Sequence, residues 1–552
     1  MFRMLRTASP RQEKSFRRYL IRWTFLSIPV GIITSLSVVL LVLATESMWN
    51  LLYGHQVPRT LIVIVPAIGG LVSGYIASRT VMGASHGAEL IIDALQKYGG
   101  VVPLLTAPIG FLTSLVTIGS GGSAGLEGPS LHIGGTMGSV VGSKAGLSTR
   151  DRRILILCGA AAGISAAFKA PLTGAIFALE VPYKNDLEHA AVAPALVSSV
   201  ISYIIFVLIL GSEPLFVVTP INFAYYDIPH FIFQGVFSAI IALVFVKFFK
   251  RTNDLFHSVK LPIALKAGLG GLVVGLLGIA TPQVLGIGYE GIQQMLTKNL
   301  QIEYLVMLLA LKIVATSFTL GSGGNGGVFI PTVFIGTAAG SIFGKVFAPH
   351  SAPMFEVLGM ASLLAASLKV PIAAVAFISE TANPSYIIPA IITSVVAYVA
   401  SGGMSLYSHQ QVAKPTLVDV TAQEIMDSQR ARYKFVAVDS NSTLEDITRE
   451  IFRHHQKVFP VVARNELAGV ISISDMMKVP RQDWKKVVVS DIMTRKDIIK
   501  TTPEQSVSEI VRLMGAKGIE MIPVVESKAS SRIVGAIYRY DILHTIDEQT
   551  FE

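Results

Sequence analysis

The stretch GSGGSAGLEGPSLHIGG, residues 119–135, decides the fold of this chain. It places a single carboxylate, Glu127, among glycines, serines and apolar side chains. A glycine inside a helix costs about 1 kcal/mol relative to alanine, so the GSGG cluster predicts a turn. Proline favours the first turn of a helix, so Pro129 predicts that a helix begins here. A helix start offers unpaired N–H groups and a partial positive charge. The stretch therefore predicts a helix end suited to an anion, with a glutamate at the same place.

A second copy of this stretch, GSGGNGGVFIPTVFIGTAAGS, begins at Gly321 and aligns with the first without gaps. Residues 159–180 align in the same way with residues 359–380, and each copy contains a lysine, an X–Pro step and a final acid. Two matches in the same order, about 200 residues apart, predict two related halves. Paired glycine-interrupted segments in two halves indicate a transport site near the membrane midplane. The repeat alone does not distinguish inverted from parallel halves, and we expect inverted ones.

The composition predicts a membrane protein followed by a soluble tail. Of the 552 residues, 51% are hydrophobic and 15% charged, whereas about 25% are charged in soluble domains. Mean hydropathy is +0.59. Apolar blocks run from about residue 24 to residue 408, and an ordinary mixture of acids and bases begins after about residue 420. We therefore predict an all-α polytopic membrane protein with two pseudo-symmetric repeats, many broken or re-entrant helices, and a cytoplasmic α/β tail.

The predicted domain boundaries follow from these changes in composition. They are a basic N-terminal arm at 1–22, a transmembrane domain at 23–408 with repeat halves of about 60–211 and 262–408, a linker at 409–420, and a tail at 421–552. The arm carries seven Lys and Arg residues and one acid, which predicts that it stays in the cytoplasm. We expect a plasma-membrane location with arm and tail both cytoplasmic. The net charge of +9 is assigned to the arm and surface lysines rather than to nucleic-acid binding.

Several apolar blocks are too short to cross a membrane. Residues 131–141, 171–181 and 371–380 are each about ten or eleven residues long, whereas a spanning helix needs about twenty. Non-helical backbone at membrane depth is tolerated only where protein buries it or a watery cavity meets it. The short blocks therefore indicate a polar pathway.

Glu127 has two interpretations. An ionisable residue inside a membrane span is a functional hypothesis by default. The charged carboxylate would occupy the place of an anion, and it would vacate that place once protonated or swung aside. The second copy has Phe329 at the equivalent position, so only one half is titratable there, which favours a gate. The alternative is a structural cap that satisfies the N–H groups of the helix start.

Three segments resemble signature segments of the CLC family of chloride channels and chloride/proton exchangers: GLEGP at 125–129, GVFIP at 327–331 and GGMSLYS at 402–408. The resemblance covers nearly the whole chain. It implies that chloride is the transported ion, that the protein lies in the lipid bilayer, and that Glu127 is the gating glutamate, with Gly125 and Gly128 beside it as anion-binding residues.

The resemblance also implies anion-binding roles. The backbone amides of Val328 and Phe329 would face the central chloride, and the hydroxyl of Tyr407 would contact it. The family's first motif, GSGxP, is matched less well by GASHGAEL at residues 83–90, which puts His86 where the ion-coordinating serine usually lies, with Ser85 beside it. Either His86 contributes to the site, which would make it sensitive to pH, or Ser85 or backbone coordinates alone.

A second departure from the family pattern concerns proton coupling. Exchangers of the family typically carry a second glutamate directly after the acid of the FxxE segment, but here Glu180 is followed by Val181. Valine at this position resembles the family's channels, so we expect passive chloride conduction. The alternative is a chloride/proton antiporter that uses the same gating glutamate, with Glu180 or water carrying protons.

The tail contains two similar units and resembles a tandem CBS pair, at about 421–482 and 488–549. Many such pairs bind adenosine nucleotides through an aspartate helped by a Ser or Thr three residues earlier. Asp475 has Ser472 at that place and Asp541 has Tyr538, so we expect at most one complete site. The alternative is a packing and dimerisation module without a ligand. Because the family is dimeric, we expect a homodimer with one pore per subunit and no required cofactor.

Two other classes of protein fit the sequence less well. CBS tails also occur on divalent-cation transporters, which need converging carboxylate and carbonyl ligands, whereas this sequence places lone acids beside helix N-termini. A membrane enzyme using Glu127 with His132 or His86 would need a nucleophile–base pair or an HExxH motif, and the sequence offers neither. Cys158 is the only cysteine, which excludes intrachain disulfides and cysteine-cluster metal sites. We expect neither enzymatic activity nor a metal site.

Overall fold

The computed structural model describes residues 10–54, 58–79, 87–413, 420–430, 436–448, 456–527 and 530–542. The chain divides into two compact units, Met1–Lys414 and Pro415–Glu552. The first unit is helical and the second combines strands with helices, which confirms the predicted fold class.

Sixteen α-helices form the described part of the first unit. They are α1 (Pro10–Tyr53), α2 (Arg59–Ala77), α3 (Ala88–Gln96), α4 (Thr106–Gly119), α5 (Glu127–Lys144), α6 (Thr149–Phe168), α7 (Pro171–Glu180), α8 (Val192–Leu210), α9 (Ile228–Ser258), α10 (Ile263–Ala280), α11 (Tyr289–Thr297), α12 (Ile302–Gly321), α13 (Phe329–Phe347), α14 (Ala352–Leu368), α15 (Pro371–Thr381) and α16 (Ile387–Ala400). Among the described residues, eight helices are long and apolar enough to cross a membrane: α1, α2, α8–α10 and α12–α14.

Two of the three short apolar blocks are short helices, as predicted. Helix α7 has 10 residues and α15 has 11, and each begins at a proline. The third block is longer than its apolar run indicated, because α5 has 18 residues. Glycines in α5 lower its hydropathy and let α6 approach closely: a Cβ at Gly134 would lie 2.0 Å from the carbonyl oxygen of Gly159. Small residues serve this purpose where helices pack in membranes.

The two halves are inverted relative to each other. Glu180 ends α7 and accepts the N–H groups of Ile372 and Ala373, in the first turn of α15, at 3.1 and 2.8 Å. Glu380, near the end of α15, accepts the N–H groups of Leu172 and Thr173, in the first turn of α7, at 2.8 and 2.7 Å. The end of each helix therefore meets the start of the other. Repeat-equivalent helices that run antiparallel in this way are what inverted repeats require.

The described residues of the second unit form a three-stranded sheet and a two-stranded sheet. Strand β1 (Val438–Asp439) runs parallel to β2 (Val458–Ala463), which pairs antiparallel with β3 (Glu466–Ser472), while β4 (Met521–Val525) pairs antiparallel with β5 (Ile533–Tyr538). The register shifts at Val461/Val462 in one pair and at Val524/Val525 in the other. These positions are equivalent in the two copies, so the two copies share the same register shift as well as the same strands.

Each copy of the tail completes its core with a helix from the other copy. Among the described residues of this unit, the α-helices with described bounds are α17 (Ala422–Arg430), α18 (Ile473–Met476), α19 (Val489–Ile492) and α20 (Val507–Lys517). Ile425 and Met426 of α17, in the first copy, are buried with Ile522 of the second copy. Val489 of α19, in the second copy, is buried with Phe459 of the first. The two copies therefore share their hydrophobic cores.

Candidate anion site between the two glycine loops

The two glycine loops meet where α5 and α13 begin. Gly125 and Gly327 exchange both backbone hydrogen bonds, with N–H to carbonyl distances of 2.9 and 2.8 Å. Glu127 is the first residue of α5, and Phe329 is the first residue of α13. Because the loops are paired in antiparallel fashion, the N-termini of two helices from opposite halves face one region. Both partial positive charges act there.

The carboxylate of Glu127 lies on the helix start of the other half. The backbone N–H of Phe329 donates to Glu127 Oε1 at 2.6 Å, and the Glu127 side chain is only 1% exposed. The sequence predicted a glutamate beside the start of its own helix. The structure adds that its acceptor atom reaches across to α13, where the family resemblance placed the anion-facing amides.

Glycines leave the space that this carboxylate fills. A Cβ at Gly125 would lie 1.9 Å from Glu127 Oε2, and a Cβ at Gly327 would lie 1.9 Å from Oε1. Gly128 is needed for a different reason, since its Cβ would come within 2.8 Å of the carbonyl oxygen of Gly326. Sequence reasoning named Gly125 and Gly128 but missed Gly327. Its equivalence to Gly125 in the aligned copies was the available signal.

Val328 and Phe329 form the wall behind the carboxylate. Val328 precedes α13 as its N-cap residue and is buried, and the Phe329 ring is fully buried. The ring packs against Phe168, Phe177 and Phe377, with centroid distances of 4.8, 5.4 and 4.9 Å. This aromatic cluster combines residues of both halves and fixes the first turn of α13, so its amides are held in place.

Tyr407 is buried in the same core as Val328 and Phe329. Its backbone N–H donates to Ser405 Oγ at 3.1 Å. The next residue, Ser408, donates its N–H and its hydroxyl to Glu89 Oε1 at 2.9 and 2.6 Å. Sequence reasoning missed Glu89 because 319 positions separate the two residues. The Tyr407 segment is therefore fixed by a carboxylate in the first turn of α3.

Ser85 and His86 lie outside the described residues. The next residue, Gly87, has a positive φ of 62° and approaches the start of α5, since its Cβ would lie 3.2 Å from the Cα of Gly128. The chain after the predicted serine–histidine pair thus reaches the same region as Glu127. Helix α3 begins directly afterwards at Ala88.

Glu180 and Val181 have defined partners. Both carboxylate oxygens of Glu180 accept N–H groups of α15, as described above, and the side chain is 5% exposed. The carbonyl oxygen of Val181 accepts Gln410 Nε2 at 2.9 Å, and the same amide group contacts the carbonyl oxygen of Leu368. Glu180 is therefore a helix cap between the halves.

A cavity of about 430 Å³ lies beside the loop that precedes Glu127. Its walls include one face of α1, the segment before α11, and Leu126, which precedes Glu127. Its charged lining residues are Glu46, Lys169 and Glu290.

The predicted nucleotide residues of the tail occupy helix starts. Ser472 and Asp475 form a capping box, in which the Ser472 hydroxyl donates to Asp475 Oδ2 at 2.6 Å. Lys478 Nζ lies 2.8 Å from Asp475 Oδ1. Asp541 is buried and accepts the N–H of Tyr538 at 3.2 Å. Asp475 is the more exposed of the two aspartates and already has a cationic neighbour.

Comparison with known proteins gives two family matches. A model described as voltage gated chloride channel matches residues 14–402, and a model described as CBS domain matches residues 422–481 and 489–548. An uncharacterized protein of Methanocaldococcus jannaschii is 32% identical over 391 residues, covering 69% of this chain and 94% of that protein. The voltage-gated ClC-type chloride channel ClcB of Escherichia coli O81 is 30% identical over 351 residues, covering 61% of this chain and 83% of that protein. The crystal structure of a slow cyanobacterial Cl⁻/H⁺ antiporter is similar in fold, with a TM-score of 0.63 and 24% identity over 70% of this chain and 96% of that chain.

Proposed function

Because the chain belongs to the voltage-gated chloride channel family and carries two CBS domains, we propose that it carries chloride across the membrane along a path closed by Glu127. One observation carries this proposal: the backbone N–H of Phe329 donates to Glu127 Oε1 at 2.6 Å. The carboxylate occupies a helix start that would otherwise bind an anion. A chloride ion and the charged side chain would therefore compete for the same N–H group.

Protonation would release this gate. A charged carboxylate makes a charge-assisted hydrogen bond to an amide, which is about twice as strong as a neutral one. Protonation of Glu127 removes the charge and weakens both this bond and the attraction to the start of α13. The side chain then leaves the amide, and chloride takes its place. Lower pH should accordingly favour the conducting state.

The anion would be bound mainly by neutral donors. We assign the amides of Val328 and Phe329 and the hydroxyl of Tyr407 to the central site, and the family resemblance adds Ser85 or His86 as a further donor. Gly125 and Gly128 allow the loops to approach closely enough for these amides to converge. Bound in this way, an ion loses its hydration shell to preorganised dipoles without a tight pairing to a full cation, so it can leave again.

Passive conduction is favoured over coupled exchange. A coupled exchanger needs an inner proton acceptor, and Val181 carries no ionisable group. Both oxygens of Glu180, the nearest acid along the chain, accept N–H groups of α15. Releasing Glu180 for proton transfer would leave these two donors unsatisfied in a buried place.

Chloride/proton antiport is the second candidate, and one observation favours it. Glu89 accepts two hydrogen bonds from Ser408, so a carboxylate lies next to Tyr407 even though position 181 lacks one. A proton taken up there would need to pass Tyr407 to reach Glu127.

Paired flux measurements test both candidates. Proteoliposomes loaded with potassium chloride should release chloride once valinomycin balances the charge, and a chloride gradient should not drive protons uphill. Uphill proton movement would refute passive conduction and support antiport. Uptake of divalent cations without chloride release would instead support the cation-transporter alternative. We propose a transporter and not an enzyme, so no turnover of a chemical substrate is expected.

The tail and the assembly complete the proposal. We assign an adenosine nucleotide to the tail at Ser472 and Asp475. Asp541 is the weaker candidate for a nucleotide contact, because it is buried against its own helix start. We further propose a homodimer with one pore per subunit in the plasma membrane, with the N-terminal arm and the tail in the cytoplasm. Exposed apolar residues in the first turns of α7 and α15, Leu172 and Ile372, support a contact surface there.

A further inference from the structure

Each glycine loop is hydrogen-bonded to a threonine of the opposite half. The N–H of Ser123, in the first loop, donates to Thr319 Oγ1 at 2.9 Å. The N–H of Asn325, in the second loop, donates to Thr117 Oγ1 at 3.2 Å. The two threonines occupy equivalent positions in the aligned copies, two residues before the first glycine of each loop. The same contact is therefore made twice, once in each direction.

Each threonine hydroxyl links its own helix to the other half's loop. Thr319 Oγ1 donates to the carbonyl oxygen of Ala315 at 2.8 Å. Thr117 Oγ1 lies 2.8 Å from the carbonyl oxygen of Thr113 and 2.7 Å from Ser73 Oγ, and its one proton is donated to one of these two acceptors. A hydroxyl has one donor and two acceptor sites, so it can make both contacts at once. Thr117 is 3% exposed and Thr319 is 4% exposed. A loop N–H buried at this depth must find a protein acceptor.

The crossing point is tightly packed. A Cβ at Gly122 would lie 2.8 Å from Thr117 Cγ2 and 3.2 Å from Thr319 Cγ2, so both threonine methyl groups meet this loop. The side chains cross over as well, since Asn325 Nδ2 donates to Thr113 Oγ1 at 2.5 Å. The loops therefore cannot shift independently of the opposite helices.

We propose that Thr319 and Thr117 are positioning residues with separate tasks in anion transport. Thr319 holds the loop that ends at Glu127 and so sets the closed position of the gate. Thr117 holds the loop that ends at Phe329 and so sets the amides that face the anion. Ser123 and Asn325 each lie four residues before the group that they position. This inference rests on the proposed function.

The assignment predicts two different phenotypes. Thr319→Val keeps the shape of the side chain and removes the acceptor for the Ser123 N–H. The closed position of the gate is then less stable, so opening should occur at a pH higher by about one unit, which corresponds to about 1.4 kcal/mol. Thr117→Val should instead displace the amides of the second loop and change the chloride-to-nitrate flux ratio by about threefold or more, on the scale of one lost buried hydrogen bond.

The experiment measures anion efflux from proteoliposomes in two backgrounds. Half-opening pH is measured with Glu127 present, and the chloride-to-nitrate ratio is measured in Glu127→Gln, where the gate no longer contributes. Control variants are Thr136→Val and Thr337→Val, because among the described residues these buried hydroxyls bond within their own helices only. Thr319→Ser and Thr117→Ser keep the hydroxyl and should behave like the parent. Alanine variants take the place of valine variants that do not fold.

The outcomes separate this inference from the proposed function. A shift in half-opening pH for Thr319→Val alone, with a changed flux ratio for Thr117→Val alone, supports the assignment. Parental behaviour of both valine variants, or a changed flux ratio for Thr319→Val with none for Thr117→Val, overturns it while chloride transport stands. If the unmodified protein releases no anion at all, the proposed function has failed and the assignment fails with it.

Discussion

Replacement of Glu127 by glutamine is the most direct test of the gate. Glutamine keeps the length of the side chain and can place its carbonyl oxygen where Oε1 accepts the Phe329 N–H at 2.6 Å. It removes only the charge and the ability to titrate. If the charge holds the gate closed, Glu127→Gln should conduct at neutral pH, and its flux should no longer depend on pH in the range where the parent responds.

The magnitude follows from the two interactions that the substitution weakens. A hydrogen bond to a charged group contributes about 1.5–3 kcal/mol and a neutral one about 0.5–1.5 kcal/mol, a difference of about 1 to 1.5 kcal/mol. A charge at a partly buried helix terminus adds up to about 2 kcal/mol. Together they amount to about 2–3 kcal/mol. Because 1.4 kcal/mol is a factor of ten, the closed-to-open ratio should fall by about 30- to 150-fold.

The assay is chloride efflux from proteoliposomes with valinomycin, measured from acid to neutral pH. The parent should release chloride faster as pH falls, and Glu127→Gln should be fast throughout. Glu303→Gln is the matched control, because Glu303 also lies in the first turn of a helix but is exposed. If Glu127→Gln has the flux and the pH response of the parent, Glu127 is a structural cap and the competition between carboxylate and chloride is wrong.

Three further predictions follow from the same contacts. Gly327→Ala puts a Cβ 1.9 Å from Glu127 Oε1, so it should displace the carboxylate and raise chloride flux at neutral pH at least about tenfold. In the Glu127→Gln background the same substitution should not change the flux further, and efflux assays compare the two backgrounds directly. Glu380→Gln weakens the charge-assisted bonds to the start of α7, which should cost about 1–2 kcal/mol and lower the thermal unfolding temperature by a few degrees while leaving the pH response of chloride flux unchanged. Partial burial raises the pKa of Asp475, but hydrogen bonds from Lys478 and Ser472 hold the pKa below the ordinary value of 3.8. Adenosine nucleotides should therefore raise the thermal unfolding temperature of the full-length protein down to pH 3.8, and this effect should disappear at lower pH, where Asp475 is protonated. Asp475→Asn should show no stabilisation by nucleotides at any pH.

Local patterns predicted the elements of the site but not the contacts between them. The glycine clusters and Pro129 placed a helix start at Glu127, and X–Pro steps placed the starts of α7 and α15, because turn and first-turn preferences act over a few residues. The partner of Glu127 is Phe329, 202 positions away. Spacing along a chain carries no information about such a contact, although the alignment of the two copies indicated which residues are equivalent.

Other features depended on packing. Helix α5 is longer than its apolar run because glycines such as Gly134, which allow the close contact with α6, lower the hydropathy of the segment. The family resemblance suggested a proton-carrying role for Glu180 as an alternative, but its two N–H donors lie on a helix that begins 191 positions later. Glu89 gave no sequence signal at all, because its partner Ser408 is brought to it only by the folded chain. Contacts of this kind join residues that are far apart in the sequence, so they are visible only in the folded chain.

The exchange of caps between α7 and α15 has a consequence for the origin of the fold. In each half, an acid near the end of one short helix accepts the N–H groups at the start of the equivalent helix of the other half. The two contacts are therefore equivalent, and a rotation that exchanges the halves converts one into the other. An ancestral gene product half this size, inserted into the bilayer in both orientations, would have formed the same pair of contacts between identical copies. Gene fusion would then have preserved Glu180 and Glu380. The two copies could change independently after the fusion, so that position 127 now carries an ionisable side chain and the equivalent position 329 an aromatic ring.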